Sequence, residues 1–312
     1  MANTYSQESD FRQERDFGQK ISATFEFIGV HFRPLGRVLL YIALPAALVQ
    51  GVLSGLLQTQ LLARVQTAAT GGGAAWQRQS ALYGTLFSSP TYYLNTVVSQ
   101  IFTTLLILSV YGYLLHCLTG TAGPGRPASV ADVWAVVKRE FLRTFLSIWG
   151  LTIVIMLGLL VFVLPGMYLM VALSLFFIVR LVEGTGFRAT LSRCLFLTRG
   201  KWWSTFGVLF IMVLLLYVLL AAAGSVATLL AGGLTLIVHS VRTPLFTVTI
   251  TAITTLFTLL VYPPLLLVLA FQYFNLVELK ESRSLHALVG QLGQAPAAAG
   301  LQPYGPGDEG EY

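Results

Sequence analysis

The sequence predicts an all-α polytopic membrane protein of six transmembrane helices, with amphipathic interfacial helices along its cytoplasmic face. Three observations predict it. Of 312 residues, 55% are apolar and only 10% charged, a balance outside that of soluble domains. Six apolar stretches, at 35–62, 94–118, 145–164, 167–182, 203–223 and 244–271, compare in length with the roughly 20 residues that cross a hydrocarbon core of about 30 Å. The basic residues also fall almost entirely between alternate stretches, as the positive-inside rule requires.

The chain opens with a polar stretch, 1–16, read as a disordered cytoplasmic N-terminus without a signal peptide's apolar run. Phe17, Ile21, Phe25, Ile28 and Phe32 then recur at helical spacing, with Lys20 and Glu26 between them. This is an interfacial amphipathic helix, and Arg33-Pro34 is expected to end it, with Pro34 opening the first span. Pro45 kinks that span, and Gln50, Ser54 and Gln58 give it a polar stripe of the kind that seams helices together or lines a transport path.

Gly71-Gly72-Gly73 centres the loop that follows, and Ser89-Pro90 caps the second span, with Tyr92 and Tyr93 at headgroup level. The Gly- and Pro-rich segment 119–127 is a linker. Ser129 and Asp132 form a capping box, starting a second interfacial helix with Val130, Val133, Trp134, Val137 and Phe141 on its apolar face.

The run 151–182 carries no charge except Arg180 and is broken by Pro165-Gly166. It is too long for one crossing, so a hairpin is expected, with its turn at the Pro-Gly pair. One long kinked span is the rival reading. A third interfacial helix follows, with Phe187, Leu191, Leu195 and Trp202 on one side and Arg188, Ser192 and Arg199 on another. The three interfacial helices, each leading into a crossing, form three units of one pattern. An internal repeat or the common demands of a cytoplasmic junction would each produce it.

The fifth span begins at Trp203. The segment 224–241, with Gly232-Gly233 inside it, is expected to extend that helix and then lie on the bundle surface or re-enter. Thr243-Pro244 starts the last span, which Pro263-Pro264 should kink. The transmembrane domain closes by 288, and 289–312 is a disordered acidic tail.

With both termini inside, only Arg64, Arg78 and Arg242 of the 19 Lys and Arg fall outside, and every Asp and Glu is inside. The net charge of +6 thus reflects basic loops held against anionic phospholipid, not nucleic acid. Cys117 and Cys194 sit at inner helix ends and suggest no disulfide. No span carries a central carboxylate of the kind that couples protons or cations. Walker, dinucleotide-binding and zinc-protease motifs are absent, His116 and Cys117 have no ligand-spaced partner, and neither cofactor nor metal is expected. The candidate site residues are Arg180, Glu183, Arg188, Arg193, Glu278 and Lys280, either as structural ion pairs or as a phospholipid headgroup site.

Pro165-Gly166-Met167-Tyr168, Arg180-Leu181-Val182-Glu183, 189–193 and Thr198-Arg199-Gly200-Lys201-Trp202-Trp203 resemble the core of the six-span membrane domain attached to some bacterial glycerophosphodiester phosphodiesterases. Related stand-alone bacterial membrane proteins of uncharacterised function share that pattern. Gln272-Tyr273-Phe274-Asn275-Leu276-Val277-Glu278, followed by Lys280-Glu281, resembles the end of the last span in stand-alone members, particularly those of Bacteroidetes. In the fused proteins hydrolysis belongs to a separate soluble barrel, which no segment of these 312 residues matches. The resemblance implies a membrane module without that enzyme.

The expected function is therefore a noncatalytic module of the bacterial cytoplasmic (inner) membrane. It would organise anionic lipid, or a membrane or cytoplasmic protein partner, through its basic interfacial helices. The alternative is a transporter or lipid-translocating protein with a midplane cavity lined by Gln50, Gln58, Ser109, Tyr113 or Tyr262. An intramembrane enzyme is the weakest reading, for want of a convergent constellation.

Overall fold

The structure, a computed structural model, describes residues 8–70, 84, 87, 89–119, 128–237 and 244–281. The triglycine loop, most of the 119–127 linker, the close of the domain beyond Glu281 and the acidic tail lie outside the described residues. Every described element is a helix: α1 (Glu8–Phe11), α2 (Phe17–Ile42), α3 (Leu44–Thr70), α4 (Pro90–Thr119), α5 (Val130–Val161), α6 (Val163–Leu173), α7 (Phe176–Glu183), α8 (Phe187–Thr198), α9 (Trp202–Ile237) and α10 (Pro244–Glu281). Among the described residues, six segments are long and apolar enough to cross a membrane: Leu44–Val65, Pro90–Thr119, Val130–Val161, Val163–Glu183, Trp202–Val226 and Phe246–Glu281. The protein is thus an all-helical polytopic membrane protein.

The N-terminus differs from expectation over 8–16. Phe11 is fully buried, stacked on Phe271 (6.1 Å between centroids) and edge-on to Phe27 (5.9 Å). Arg15 fixes this short plug: its backbone N–H donates to Asn275 Oδ1 (2.8 Å), its guanidinium donates to the Phe11 carbonyl (2.8 Å), and it lies over the Phe271 ring.

Pro34 does not end the first interfacial helix. Lys20, Ala23, Thr24, Phe27, Leu35, Val38, Leu39 and Ile42 form one continuous buried face along α2. Burial of that face outweighs the lost hydrogen bond at Pro34, worth about 3 kcal/mol. The break comes at Ala43, ahead of Pro45, which sits in the first turn of α3 where its missing N–H costs nothing. The first apolar span therefore starts at Leu44, not at residue 35.

In α3 the polar stripe is a packing seam. Gln50 donates to Ser54 Oγ (2.8 Å), Ser54 donates to Asn95 Oδ1 of α4 (3.0 Å), and Thr251 of α10 donates to Gln58 (3.3 Å). Gly51 and Gly55 beside it bring α3 against the α10 backbone at Ala252 and Val248, the close approach that small residues four apart permit.

The Ser129–Asp132 capping box forms as expected: Ser129 N–H donates to Asp132 Oδ2 (3.0 Å) and Asp132 N–H to Ser129 Oγ (3.3 Å). The helix it starts runs without a break through the third apolar stretch. The second junction is thus continuous, whereas the first breaks at Ala43 and the third at Arg199 and Gly200, where Gly200 takes a positive φ of 80°.

The hairpin turns at Phe162, whose extended backbone (φ −156°, ψ 143°) separates α5 from α6. That is three residues before Pro165, which lies in the first turn of α6, the position proline tolerates. Gly158 and Gly166 face each other across the turn, and Arg180 of α7 donates to the Arg143 carbonyl of α5 (2.8 Å). Only an antiparallel pair gives both contacts, so a single kinked span is ruled out.

α9 extends to Ile237, so 224–237 continues the helix, the extension expected of that segment; residues 238–243 lie outside the described residues. Pro263 and Pro264 stand inside an uninterrupted α10. Gln272 donates to Thr205 Oγ1 (3.0 Å), and Val208 and Met212 pack with Leu265 and Val268. These contacts fix α9 and α10 as antiparallel neighbours, with Trp202 level with the α10 turn that carries Tyr273 and Asn275.

Candidate functional site

The charged residues singled out in the sequence gather where α5, α7, α8 and α10 meet, but they divide into two groups. The first is a clamp. Gly184, at φ 64°, ends α7 and lets the chain reverse into α8, which brings Glu183 beside Arg193. Arg193 Nε donates to both Glu183 oxygens (2.9 and 3.0 Å), and its terminal nitrogen meets Glu281 at 2.5 Å. Tyr273 Oη donates to Glu183 Oε1 (3.0 Å). Burial disfavours the Arg193 charge, but hydrogen bonds and attraction from Glu183 and Glu281 outweigh it and raise its pKa above the ordinary arginine value. Lys280 donates to the Phe196 carbonyl and lies over the Phe196 ring (4.4 Å), and Glu278 is buried in α10. Arg193 thus ties α7, α8 and α10 together.

The second group is open. Arg139, Glu140, Arg143 and Arg180 line a cavity of about 330 Å³, closed below by Leu181, Gly184, Thr185 and Gly186. Arg180 is held by the Arg143 carbonyl and by Ser147 Oγ. Glu140 Oε1 meets Arg139 Nε at 3.1 Å and Arg143 at 3.7 Å. Three guanidinium groups therefore face one carboxylate. The Arg139 and Arg143 side chains are about seven-tenths exposed, free to turn toward an anion. Gly186, at the α8 N-cap, has no side chain to satisfy the first-turn N–H groups. Leu142, Leu146 and Trp149, on the outward face of α5, are exposed beside the cavity.

Arg188, expected near Glu183, is exposed and has no partner among the described residues. The structure therefore separates Arg180 from Arg193 and adds five residues that sequence reasoning missed as site members: Arg139, Glu140, Arg143, Tyr273 and Glu281. The Arg139-Glu140-Phe141 junction was visible in sequence, but its convergence with Arg180 depends on the hairpin register. His116, for which the sequence offers no ligand-spaced partner, faces Asp132 of the capping box at 3.8 Å.

Among the described residues, further cavities flank the bundle. One, of about 520 Å³, is lined by Glu14, Arg15, Asp16, Lys20, Lys201, Ser204 and Asn275 among others. Lys20 is only 3% exposed and reaches Ser204 Oγ at 3.5 Å. Burial lowers its pKa, Asp16 opposes that, and Lys201 adds to it. Another, of about 480 Å³, is an apolar groove between α2 and α10 at Pro263 and Pro264, with Arg33 and Arg37 on its wall. None of the three cavities takes in Gln50, Gln58, Ser109, Tyr113 or Tyr262. Among the described residues no three His, Cys, Asp or Glu side chains group in a way that could hold a metal.

Comparisons of the chain with protein-family models, with curated proteins and with solved structures gave no match.

Proposed function

We propose that this chain is a noncatalytic membrane module that holds anionic phospholipid headgroups in the arginine-lined cavity between α5, α7 and α8. One observation carries the reading: three guanidinium groups against one carboxylate converge on a cavity beside the exposed apolar side chains Leu142, Leu146 and Trp149 of α5. A phosphate on these arginines leaves its acyl chains against Leu142, Leu146 and Trp149, so that one lipid satisfies both surfaces. The basic junctions face the cytoplasm of a bacterial cell, with the membrane the inner one, because the opposite orientation places nearly all the cations outside. We read the residue pattern that resembles the membrane domain of glycerophosphodiester phosphodiesterases as that of a module that positions lipid or a protein partner and leaves chemistry to another domain.

Against transport, two of the polar side chains expected to line a midplane path bond within or across helix seams: Gln50 donates to Ser54, and Gln58 accepts from Thr251.

The test is lipid retention. Purified wild type and the Arg139→Gln/Arg143→Gln variant are exchanged into mixed micelles of zwitterionic and anionic phospholipid, and the lipid retained is measured by mass spectrometry. The variant should lose at least five-fold of its preference for the anionic lipid, while Arg188→Gln leaves it unchanged. Equal retention by the double variant overturns the proposal.

A further inference from the structure

We infer that the hairpin of α5, α6 and α7 does not cross the bilayer. It enters and leaves on the side of the basic junctions, and its apolar surface takes the acyl chains of that one leaflet.

Two contacts fix its depth. Trp202 is the first residue of α9, one of the spanning helices. It stacks on Tyr168 (5.9 Å between centroids, 9° between planes) and donates from Nε1 to the Tyr168 carbonyl at 3.2 Å. Lys201 and the polar cavity around Lys20 lie directly beside it, so Tyr168 sits at the polar end of α9. Tyr168 lies six positions past the turn at Phe162, which lifts the tip by about 9 Å at most. The apolar segment Trp202–Val226 runs 25 residues from that end, about 37 Å. The tip therefore stops well short of the opposite face.

The base of the hairpin is at the same level. Glu183 accepts from Tyr273, and Tyr273 lies on the α10 turn opposite Trp202. Tyr168 and Glu183 are fifteen residues apart, about 22 Å of helix, yet both touch the α9–α10 pair at one height. α6 and α7 thus run across the end of that pair instead of along it.

What surrounds the tip follows from its composition. From Ile153 to Met170 there is no charged side chain, and Leu160, Phe162 and Leu164 are 82%, 71% and 79% exposed. A turn reaching water would be expected to carry polar residues, and a helix lying on the surface would have a polar face. This hairpin has neither, so hydrocarbon is the medium that fits it. Acyl chains of a single leaflet are the occupant, because the tip is too near the polar end of α9 to reach the other. This inference does not depend on the headgroup cavity, since lipid preference at Arg139 and Arg143 can be lost with the hairpin depth unchanged.

The experiment uses the full chain in lipid vesicles, in a Cys117→Ala/Cys194→Ala background, with single cysteines introduced by Phe162→Cys, Leu164→Cys, Tyr93→Cys or Lys201→Cys. A membrane-impermeant maleimide is applied to either face. The Tyr93→Cys and Lys201→Cys thiols should label from opposite faces, and the Phe162→Cys and Leu164→Cys thiols from neither. Spin labels at 162 and 201, introduced as a pair, should lie within about 20 Å of each other, against about 30 Å or more for a full crossing. Labelling of the Phe162→Cys or Leu164→Cys thiol from either face, or a pair distance of 30 Å or more, overturns the inference. The leucine position decides if the phenylalanine variant fails to fold.

Discussion

Gly55→Ala tests whether the α3–α10 seam holds the bundle together. A Cβ at Gly55 lies 2.5 Å from Val248 Cα, and one at Gly51 lies 2.7 Å from Ala252 Cα, where ordinary contact begins at 3.4 Å. The obstructing atoms are backbone, so no rotamer change relieves the clash and the helices must part by close to 1 Å. A gap of that size forfeits a quarter to a half of each dispersion contact along the seam, and overpacking of this kind costs about 1–3 kcal/mol. It also stretches the Gln58–Thr251 hydrogen bond of 3.3 Å. Gly55→Ala should therefore destabilise by about 2 kcal/mol in unfolding by sodium dodecyl sulfate from mixed micelles, followed by circular dichroism. Adding Gly51→Ala should cost less than a second full increment, because the helices have already separated. Gly29→Ala in α2, with nothing within 4 Å of its Cβ, is the control. It should stabilise by up to about 1 kcal/mol through helix propensity. If Gly55→Ala is as stable as Gly29→Ala, the close approach at the seam is wrong.

Two further outcomes follow from the clamp and its surroundings. Arg193→Met takes the guanidinium away from Glu183 and Glu281, whose side chains are only 15% and 22% exposed. It should cost about 3 kcal/mol, whereas Glu183→Gln/Arg193→Met/Glu281→Gln, which removes every charge of the clamp, should recover at least half; equal losses in the same unfolding assay count against the clamp. Cys194 is fully buried, and burial, with Glu183 adding, pushes its thiol up to about 12. Only a minute fraction is thiolate at pH 7.5, so in a Cys117→Ala background maleimide should leave the folded protein unmodified over an hour and react within minutes once it is unfolded in detergent. Fast reaction of the folded protein would place Cys194 at the surface.

The number of apolar helices was legible because apolar length is a property of the chain alone. So was the cap at Ser129, where both partners lie three residues apart. Helix boundaries were less so. Arg33-Pro34 reads as a stop when only backbone chemistry is weighed, and the buried face on both sides of Pro34 becomes visible only with its neighbours α4 and α10 in place. Pro165-Gly166 gave the hairpin but misplaced its turn, since proline marks the start of α6 rather than the reversal itself. Gly51 and Gly55 were in plain view with small-residue spacing, and the polar stripe beside them drew attention instead. For the site, Arg180 and Arg193 carry the same side chain thirteen residues apart. What separates them is the left-handed turn at Gly184, which sends Arg193 to Glu183 and leaves Arg180 with Arg143. Phe11 was the least legible element, a lone aromatic in a polar stretch whose pocket is built by Phe27, Phe271 and Phe274.

The sidedness of the basic junctions holds whether or not the central hairpin crosses, because an antiparallel pair returns the chain to the side it left. On the proposed geometry the crossing helices are α3, α4, α9 and α10. Their seams run along one another through Gln50, Ser54, Asn95, Gln58 and Thr251, and through Thr205 and Gln272. The Phe11 plug, the start of α2, α8 and the hairpin then all pack at the same end of those four. Phe17 meets Gly207, Lys20 meets Ser204, Arg193 meets Glu281 and Trp202 meets Tyr168. The protein therefore occupies more area in one leaflet than in the other, and its arginines sit at the base of the element that makes the difference. Anionic headgroups drawn to Arg139, Arg143 and Arg180 would be those of the leaflet that the hairpin fills. On the two proposals taken together, lipid recognition and hairpin insertion act on the same leaflet, and the opposite face has only Arg64, Arg78 and Arg242 among the basic residues of the sequence.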